Sequence, residues 1–176
     1  MNSTQSKQLP AKYAYFKKAK GTNVWDLNGK KYLDMFLMGV GTNILGYNNK
    51  KVNQAVKKVI KTGNMSSLNS LEDYKLAKEL IKINKWADMV KFARTGGEAN
   101  AIAVRIARAS NKKDIIAFCG YHGWHDWYLS ANLSNKKNLD SHLFPNLRSS
   151  GVPKNLKNTS VGFKFNDSKS LIKIVK

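Results

Sequence analysis

Cysteine is almost absent from this 176-residue chain. The single thiol, Cys119, cannot close an internal disulfide, which excludes a disulfide framework and suits a reducing compartment. No apolar run reaches the roughly 18 residues that mark a membrane-spanning helix. The start, Met1 to Lys7, is polar where a secretory signal would carry an apolar stretch. A cytoplasmic protein with no membrane partner is the expectation. Acidic residues are scarce too: 11 Asp and Glu stand against 31 Lys and Arg, giving a formal charge of +20.

An excess of that size raises a nucleic-acid hypothesis, because basic surfaces attract phosphate backbones. The lysines, however, come as scattered pairs, Lys17-Lys18, Lys30-Lys31, Lys50-Lys51, Lys57-Lys58, Lys112-Lys113 and Lys136-Lys137, and form no run or recognisable binding module. A solvated lysine surface without a nucleic-acid partner is expected. The rival reading is a non-catalytic basic protein that holds an acidic partner or nucleic acid. Metal chemistry lacks ligands as well: Cys119, His122 and His125 are close in sequence, but no further Cys or His pair completes a tetrahedral set. No metal is expected.

Hydrophobic residues, 42% of the chain, are enough for one domain, since a chain near 150 residues buries roughly 70% of its extended surface. Asn23 to Asp26 and Lys31 to Asp34 flank an Asn28-Gly29 pair, a strong hairpin-turn signal, so residues 21–36 read as a small antiparallel hairpin. Val52, Ala55, Val56, Val59 and Ile60 share one helical face, which Gly63 stops. Ser70 and Asp73 resemble a capping box ahead of a helix over about 71–83. Met89 to Ala93 reads as a strand, and Thr95-Gly96-Gly97 as a tight turn. Glu98 to Ala109 reads as a helix with Ala99, Ile102, Ala103, Ile106 and Ala107 inward, and Asp114 to Phe118 as the next strand. Strand, turn, helix, strand is a βαβ unit and implies an α/β architecture with parallel strands. Beyond Asn132 the sequence turns polar and irregular until a strand candidate at Val161 to Phe165 and an apolar end at Leu171 to Val175.

Thr95-Gly96-Gly97 opens a helix, so free N–H groups and the positive helix end would converge where an anion can sit. An ordinary strand-to-helix turn remains the alternative at this point. After the next strand comes Gly120-Tyr121-His122-Gly123-Trp124-His125-Asp126-Trp127, which sets aromatic rings at a strand's carboxyl end, where open α/β sheets bind ligands. Tyr121 is the natural ring to stack on a flat heteroaromatic cofactor. Trp124 and Trp127 are read as packing residues, and His125-Asp126 as a surface pair. Neither a dinucleotide fingerprint nor a P-loop follows Gly96-Gly97.

These residues resemble class III aminotransferases, and among them glutamate-1-semialdehyde aminomutases. The resemblance rests on Val24-Trp25-Asp26-Leu27-Asn28-Gly29-Lys30-Lys31-Tyr32-Leu33-Asp34, Ile44-Leu45-Gly46-Tyr47, Thr95-Gly96-Gly97-Glu98-Ala99-Asn100, Ala103-Val104-Arg105-Ile106-Ala107-Arg108-Ala109 and Gly120-Tyr121-His122-Gly123, in family order. It implies a fold-type I transferase using pyridoxal 5'-phosphate and acting on a small amino or keto substrate. Residues 1–62 would belong to a small domain, and 63–176 to part of the large cofactor-binding domain. The resemblance places Thr95, Gly96 and Gly97 at the cofactor phosphate and Tyr121 with His122 at its ring. It also implies a homodimer, with Ser66-Ser67-Leu68-Asn69 near the neighbouring subunit's phosphate site. Relatives often carry Ser or Thr at the position of Gly97, with a hydroxyl to the phosphate. The aspartate that pairs with the pyridine nitrogen and the Schiff-base lysine lie, in relatives, beyond the stretch matched here. No catalytic residue is therefore expected in this chain, which reads as an N-terminal portion of such an enzyme.

Overall fold

The protein is described by a computed structural model that covers residues 15–142 and 145–175. It divides into two compact units, Met1–Glu79 and Leu80–Lys176. The first unit opens with an antiparallel three-stranded sheet in the order β1 (Phe16–Lys20), β2 (Asn23–Asp26), β3 (Lys31–Leu33). Asp26 organises the expected hairpin turn. One of its carboxylate oxygens accepts the Asn28 and Lys30 N–H groups, both at 2.9 Å, and the other accepts the Tyr32 hydroxyl at 3.1 Å. Gly29 supplies the positive φ of 84° that such a turn favours. β1 was not foreseen, because Phe16–Lys20 has no apolar alternation and leaves four of its five residues exposed.

Backbone bonds in both directions between Gly21 and Tyr47 (2.9 and 2.8 Å) tie the sheet to the segment before the first helix. A Cβ on Gly46 would stand 3.3 Å from the Gly21 Cα, so the close approach needs glycine there. Two helices follow, α1 (Lys50–Thr62) and α2 (Leu71–Ile83). Asn49 caps α1 by accepting from the Lys51 and Val52 N–H groups, and Gly63 ends it, as its sequence position suggests. The Ser70 hydroxyl accepts the Glu72 and Asp73 N–H groups at the start of α2. The apolar face of α1 has formed without being covered: Val52, Val56 and Ile60 are each about half exposed.

The second unit holds α3 (Gly96–Asn111), β4 (Ile116–Cys119), α4 (Asp126–Leu129), β5 (Ser160–Phe163) and α5 (Ser168–Val175). Short 3₁₀ turns occupy Ser130–Leu133 and Lys154–Leu156. β4 and β5 pair in parallel, Ile116 opposite Ser160 through Cys119 opposite Phe163. The architecture is α/β, as expected, but the parallel crossover runs through residues 120–159. Met89 to Ala93 is not a strand: it pairs with no strand among the described residues, and an extended segment without a ladder partner has no sheet to belong to. The inward face of α3 is also displaced from the expected one. Of the expected residues Ile102 and Ala107 are half-buried, whereas Ile106 is 59% exposed and Ala99 and Ala103 are exposed, and Ala101 and Val104 are the ones packed on the core. The helix carries two apolar stripes, and spacing alone does not choose between them.

The core lies in this unit and is built around Tyr128, fully buried, with Phe118, Trp127, Leu129, Ala131, Leu139, Leu147 and Val152. Three of these, Leu139, Leu147 and Val152, come from the stretch that reads as polar and irregular. Asn132 makes that possible. Its buried amide donates to the Leu147 carbonyl (2.7 Å) and accepts from the Leu139 N–H (3.0 Å), giving the loop backbone partners it would otherwise lack inside the protein. Arg108 fastens α3 to the sheet, donating to the carbonyls of Asp114 (2.8 Å) and Thr159 (3.2 Å). Among the described residues no helix is long and apolar enough to cross a membrane.

Replacing Asn132 by Ala strands one buried donor and one buried acceptor, each worth about 1–3 kcal/mol. Asn132→Ala is expected to lower unfolding stability by roughly 2–4 kcal/mol, measured by urea denaturation, whereas the same change at the exposed Asn135 costs under about 0.5 kcal/mol.

Candidate functional site

Thr95 is the cap of α3, with Gly96 and Gly97 its first two residues. The Thr95 hydroxyl accepts from the Glu98 N–H (3.2 Å) and the Thr95 carbonyl from the Ala99 N–H (3.0 Å). The Gly96 and Gly97 N–H groups have no acceptor within the helix, as holds for any helix's first turn, and they carry its positive end. The Glu98 carboxylate is engaged on the Arg94 N–H at 2.9 Å.

The loop after β4 comes directly onto this turn. A Cβ on Gly123 would lie 3.3 Å from the Gly97 Cα, and a Cβ on Gly97 would meet the His125 ring at 2.9 Å. The two glycine-bearing segments that stand 26 residues apart in sequence therefore touch, and the end of the His125 side chain occupies the space a side chain at 97 would take. His125, read from the sequence as part of a surface pair, is exposed, and its ring lies over Gly97, a contact the sequence reading did not include. Its closeness in sequence to Tyr121 was the available signal.

Tyr121 sits on the same loop, half-buried, packed edge-on against Tyr128 with ring centroids 5.7 Å apart. Burial pushes its hydroxyl above the ordinary tyrosine range. His122 turns inward: its Nε2 lies 2.8 Å from the Cys119 carbonyl, and its ring contacts Phe118, Trp127 and Tyr128. A carbonyl only accepts, so this nitrogen donates. Trp127 is buried in that cluster and Trp124 is 66% exposed. Tyr128 is pushed up to about 12, first by burial and then by the charge of Tyr121.

Among the described residues no three His, Cys, Asp or Glu side chains converge as a metal site. In the first unit, an open cavity of about 380 Å³ is lined by Lys20, Asn48, Lys50, Asn53, Gln54 and Lys57. It offers positive charge but no aromatic surface. Ser66, the first residue of the stretch expected near a neighbouring subunit's phosphate site, closes a local turn through the Leu68 N–H and carbonyl.

A helix that opens on two glycines is thus met, in an α/β protein, by an aromatic loop from the end of the next strand. The chain belongs to the class III aminotransferases: the model of that family, Aminotransferase class-III, matches residues 4–173. It is 34% identical over 166 residues to the glutamate-1-semialdehyde 2,1-aminomutase of Methanosphaera stadtmanae, covering 93% of this chain and 37% of that protein. To the 3-aminobutyryl-CoA aminotransferase of Cloacimonas acidaminovorans it is 33% identical, covering 93% and 36%. A solved structure described as a transaminase with PLP bound superimposes with a TM-score of 0.77 at 25% identity, over 92% of this chain and 37% of that one. The chain thus spans little more than a third of the length of the relatives it matches. The fold is that of the fold-type I transferases, and the family's cofactor is pyridoxal phosphate.

Two outcomes are expected from this geometry. Gly97→Ala sets its new methyl against the end of the exposed His125 side chain, which has to turn aside, and the gain in helix propensity of up to about 1 kcal/mol offsets that cost, so stability is expected to change by less than about 1 kcal/mol, with any coupling to His125→Ala read from a double-mutant cycle. Tyr128 has a raised folded-state pKa, so its contribution is fully present below the ordinary value near 10 and is lost as pH rises through about 12. Tyrosinate absorbance is expected to show one tyrosine ionising only as the fold is lost, and Tyr128→Phe removes that late component.

Proposed function

We propose that this chain supplies the phosphate-binding and ring-orienting part of the cofactor site of a pyridoxal-phosphate-dependent aminotransferase or aminomutase. The observation that carries this reading is the seating of the 123–125 segment on Gly97, which brings the Tyr121 loop to the open end of α3. The residues present fit the group. The Gly96 and Gly97 N–H groups would hold the phosphate at the positive helix end, where Gly96 has nothing within 4 Å of its absent Cβ. Tyr121, backed by the edge of Tyr128, would orient the pyridine ring. His122 closes the turn beneath that platform through the Cys119 carbonyl.

Pyridoxal phosphate, when bound, supplies the electron sink for chemistry next to an amino group. This chain's own residues bind and orient. None of its lysines matches the family's cofactor-bonding lysine, so the covalent step belongs to residues outside these 176, as does the partner of the pyridine nitrogen. The substrate class is a small amino-containing aldehyde, keto acid or keto sugar. The small-domain segment is placed in residues 1–62 and the partial large domain in 63–176, in an enzyme that pairs with a second copy of itself.

The test is equilibrium binding of pyridoxal 5'-phosphate and of pyridoxal to the chain, with borohydride trapping and peptide mapping. The expected result is tighter binding of the phosphate ester, a roughly 3–10-fold loss in Tyr121→Ala, no single lysine labelled stoichiometrically, and no amino-group transfer. Equal binding of pyridoxal, or one stoichiometrically labelled lysine accompanied by turnover, would overturn the reading.

A further inference from the structure

We propose that His142 is a positioning residue for the cofactor site: its imidazole anchors Tyr128 and the Gly120 turn, and through them fixes the ring of Tyr121. The inference rests on the reading of Tyr121 as the cofactor's ring platform. His142 lies outside every motif that identifies the family, 21 residues after Tyr121 in a stretch without regular structure.

The contacts form two routes to one place. The Tyr128 hydroxyl is 3.1 Å from His142 Nδ1, and the Tyr128 ring is the edge on which Tyr121 rests, at 85° between planes. The His142 ring also stands edge-on to Phe118 (centroids 5.5 Å apart), and a Cβ on Gly162 would be 3.3 Å from its Cε1 and Nε2. It is therefore wedged between β4, β5 and Tyr128 and has little freedom to turn. The second route is the backbone of Gly120, which faces the His142 ring and favours its protonated form. Gly120 has φ +86° and is the residue immediately before Tyr121, so its backbone conformation sets the direction in which Tyr121 leaves the strand.

One tautomer suits the Tyr128 contact. A neutral imidazole has one donor and one acceptor, so Nδ1 accepts from the Tyr128 hydroxyl and Nε2 carries the proton. The surroundings favour neutrality: burial lowers the basicity of His142, and the neighbouring His122 lowers it further against the opposing pull of Gly120. Among the described residues Phe118, Trp127, Tyr121 and Tyr128 are the other side chains of this cluster, and none is a carboxylate. Losing a proton acceptor for Tyr128 releases a buried hydroxyl, and the ring that Tyr121 leans on becomes free to shift.

The test uses the full chain, free and with two probes, pyridoxal 5'-phosphate and inorganic phosphate, in wild type, His142→Ala, His142→Gln and Tyr128→Phe. In the free wild type, ring ¹⁵N shifts are expected to show a bare Nδ1 and a protonated Nε2 on His142, and proton NMR to show Tyr121–Tyr128 ring contacts. His142→Ala is expected to lose those contacts and bind pyridoxal phosphate ~3–10-fold more weakly, with inorganic phosphate unchanged because the turn at Gly96-Gly97 is untouched. His142→Gln retains a donor and an acceptor and is expected to recover most of both, and Tyr128→Phe to resemble His142→Ala. A protonated Nδ1 in wild type, ring contacts that survive in His142→Ala, or equal loss for both probes would overturn the proposal. Should wild type bind neither probe, the cofactor reading falls, and the tautomer and ring contacts of the free chain still decide the positioning role.

Discussion

The buried amide of Asn132 is the constraint on which the second unit depends. A long irregular segment can enter a protein interior only if its backbone groups find partners, since each unpaired donor or acceptor there costs about 1–3 kcal/mol. Asn132 takes the carbonyl of Leu147 and the N–H of Leu139, and the neighbouring Asn138 donates to the carbonyl of Ala131 at 2.7 Å. With those groups satisfied, Leu139 and Leu147 can stand against Tyr128 as core residues. The aromatic cluster and the loop that carries Tyr121 are then built on a floor that has no regular secondary structure.

From that floor the route to the site is short. Tyr128 is enclosed by apolar neighbours and presents an edge to Tyr121, while the loop between them folds back until Gly123 and His125 meet Gly97. Arg108 holds the other side, because a planar guanidinium can reach the carbonyls of Asp114 and Thr159 together, so α3 cannot slide along the sheet without breaking both. The helix end, the strand end and the aromatic platform are thus fixed by polar contacts to backbone atoms and not by side-chain volume alone.

Much of this was legible in the residues. Asn28-Gly29 marked the hairpin, Gly63 the end of α1, Ser70 the start of α2, and Gly96-Gly97 the start of α3, since each is a local backbone requirement written in one or two residue types. What was not legible depends on partners distant in sequence. Met89 to Ala93 has the composition of a strand, but composition does not provide the neighbour that a ladder needs. The two apolar stripes of α3 are equivalent until the core chooses Ala101 and Val104. Asn132 and His142 are single polar residues whose meaning lies wholly in what they touch, and no spacing rule points to them.

The contact between Gly97 and His125 also says what would give way if this site changed. A side chain at 97 would meet the far end of the exposed His125 side chain at 2.9 Å, and the imidazole is the group that can swing aside. A larger residue at 97 therefore alters what covers the first turn of α3 before it disturbs the backbone beneath.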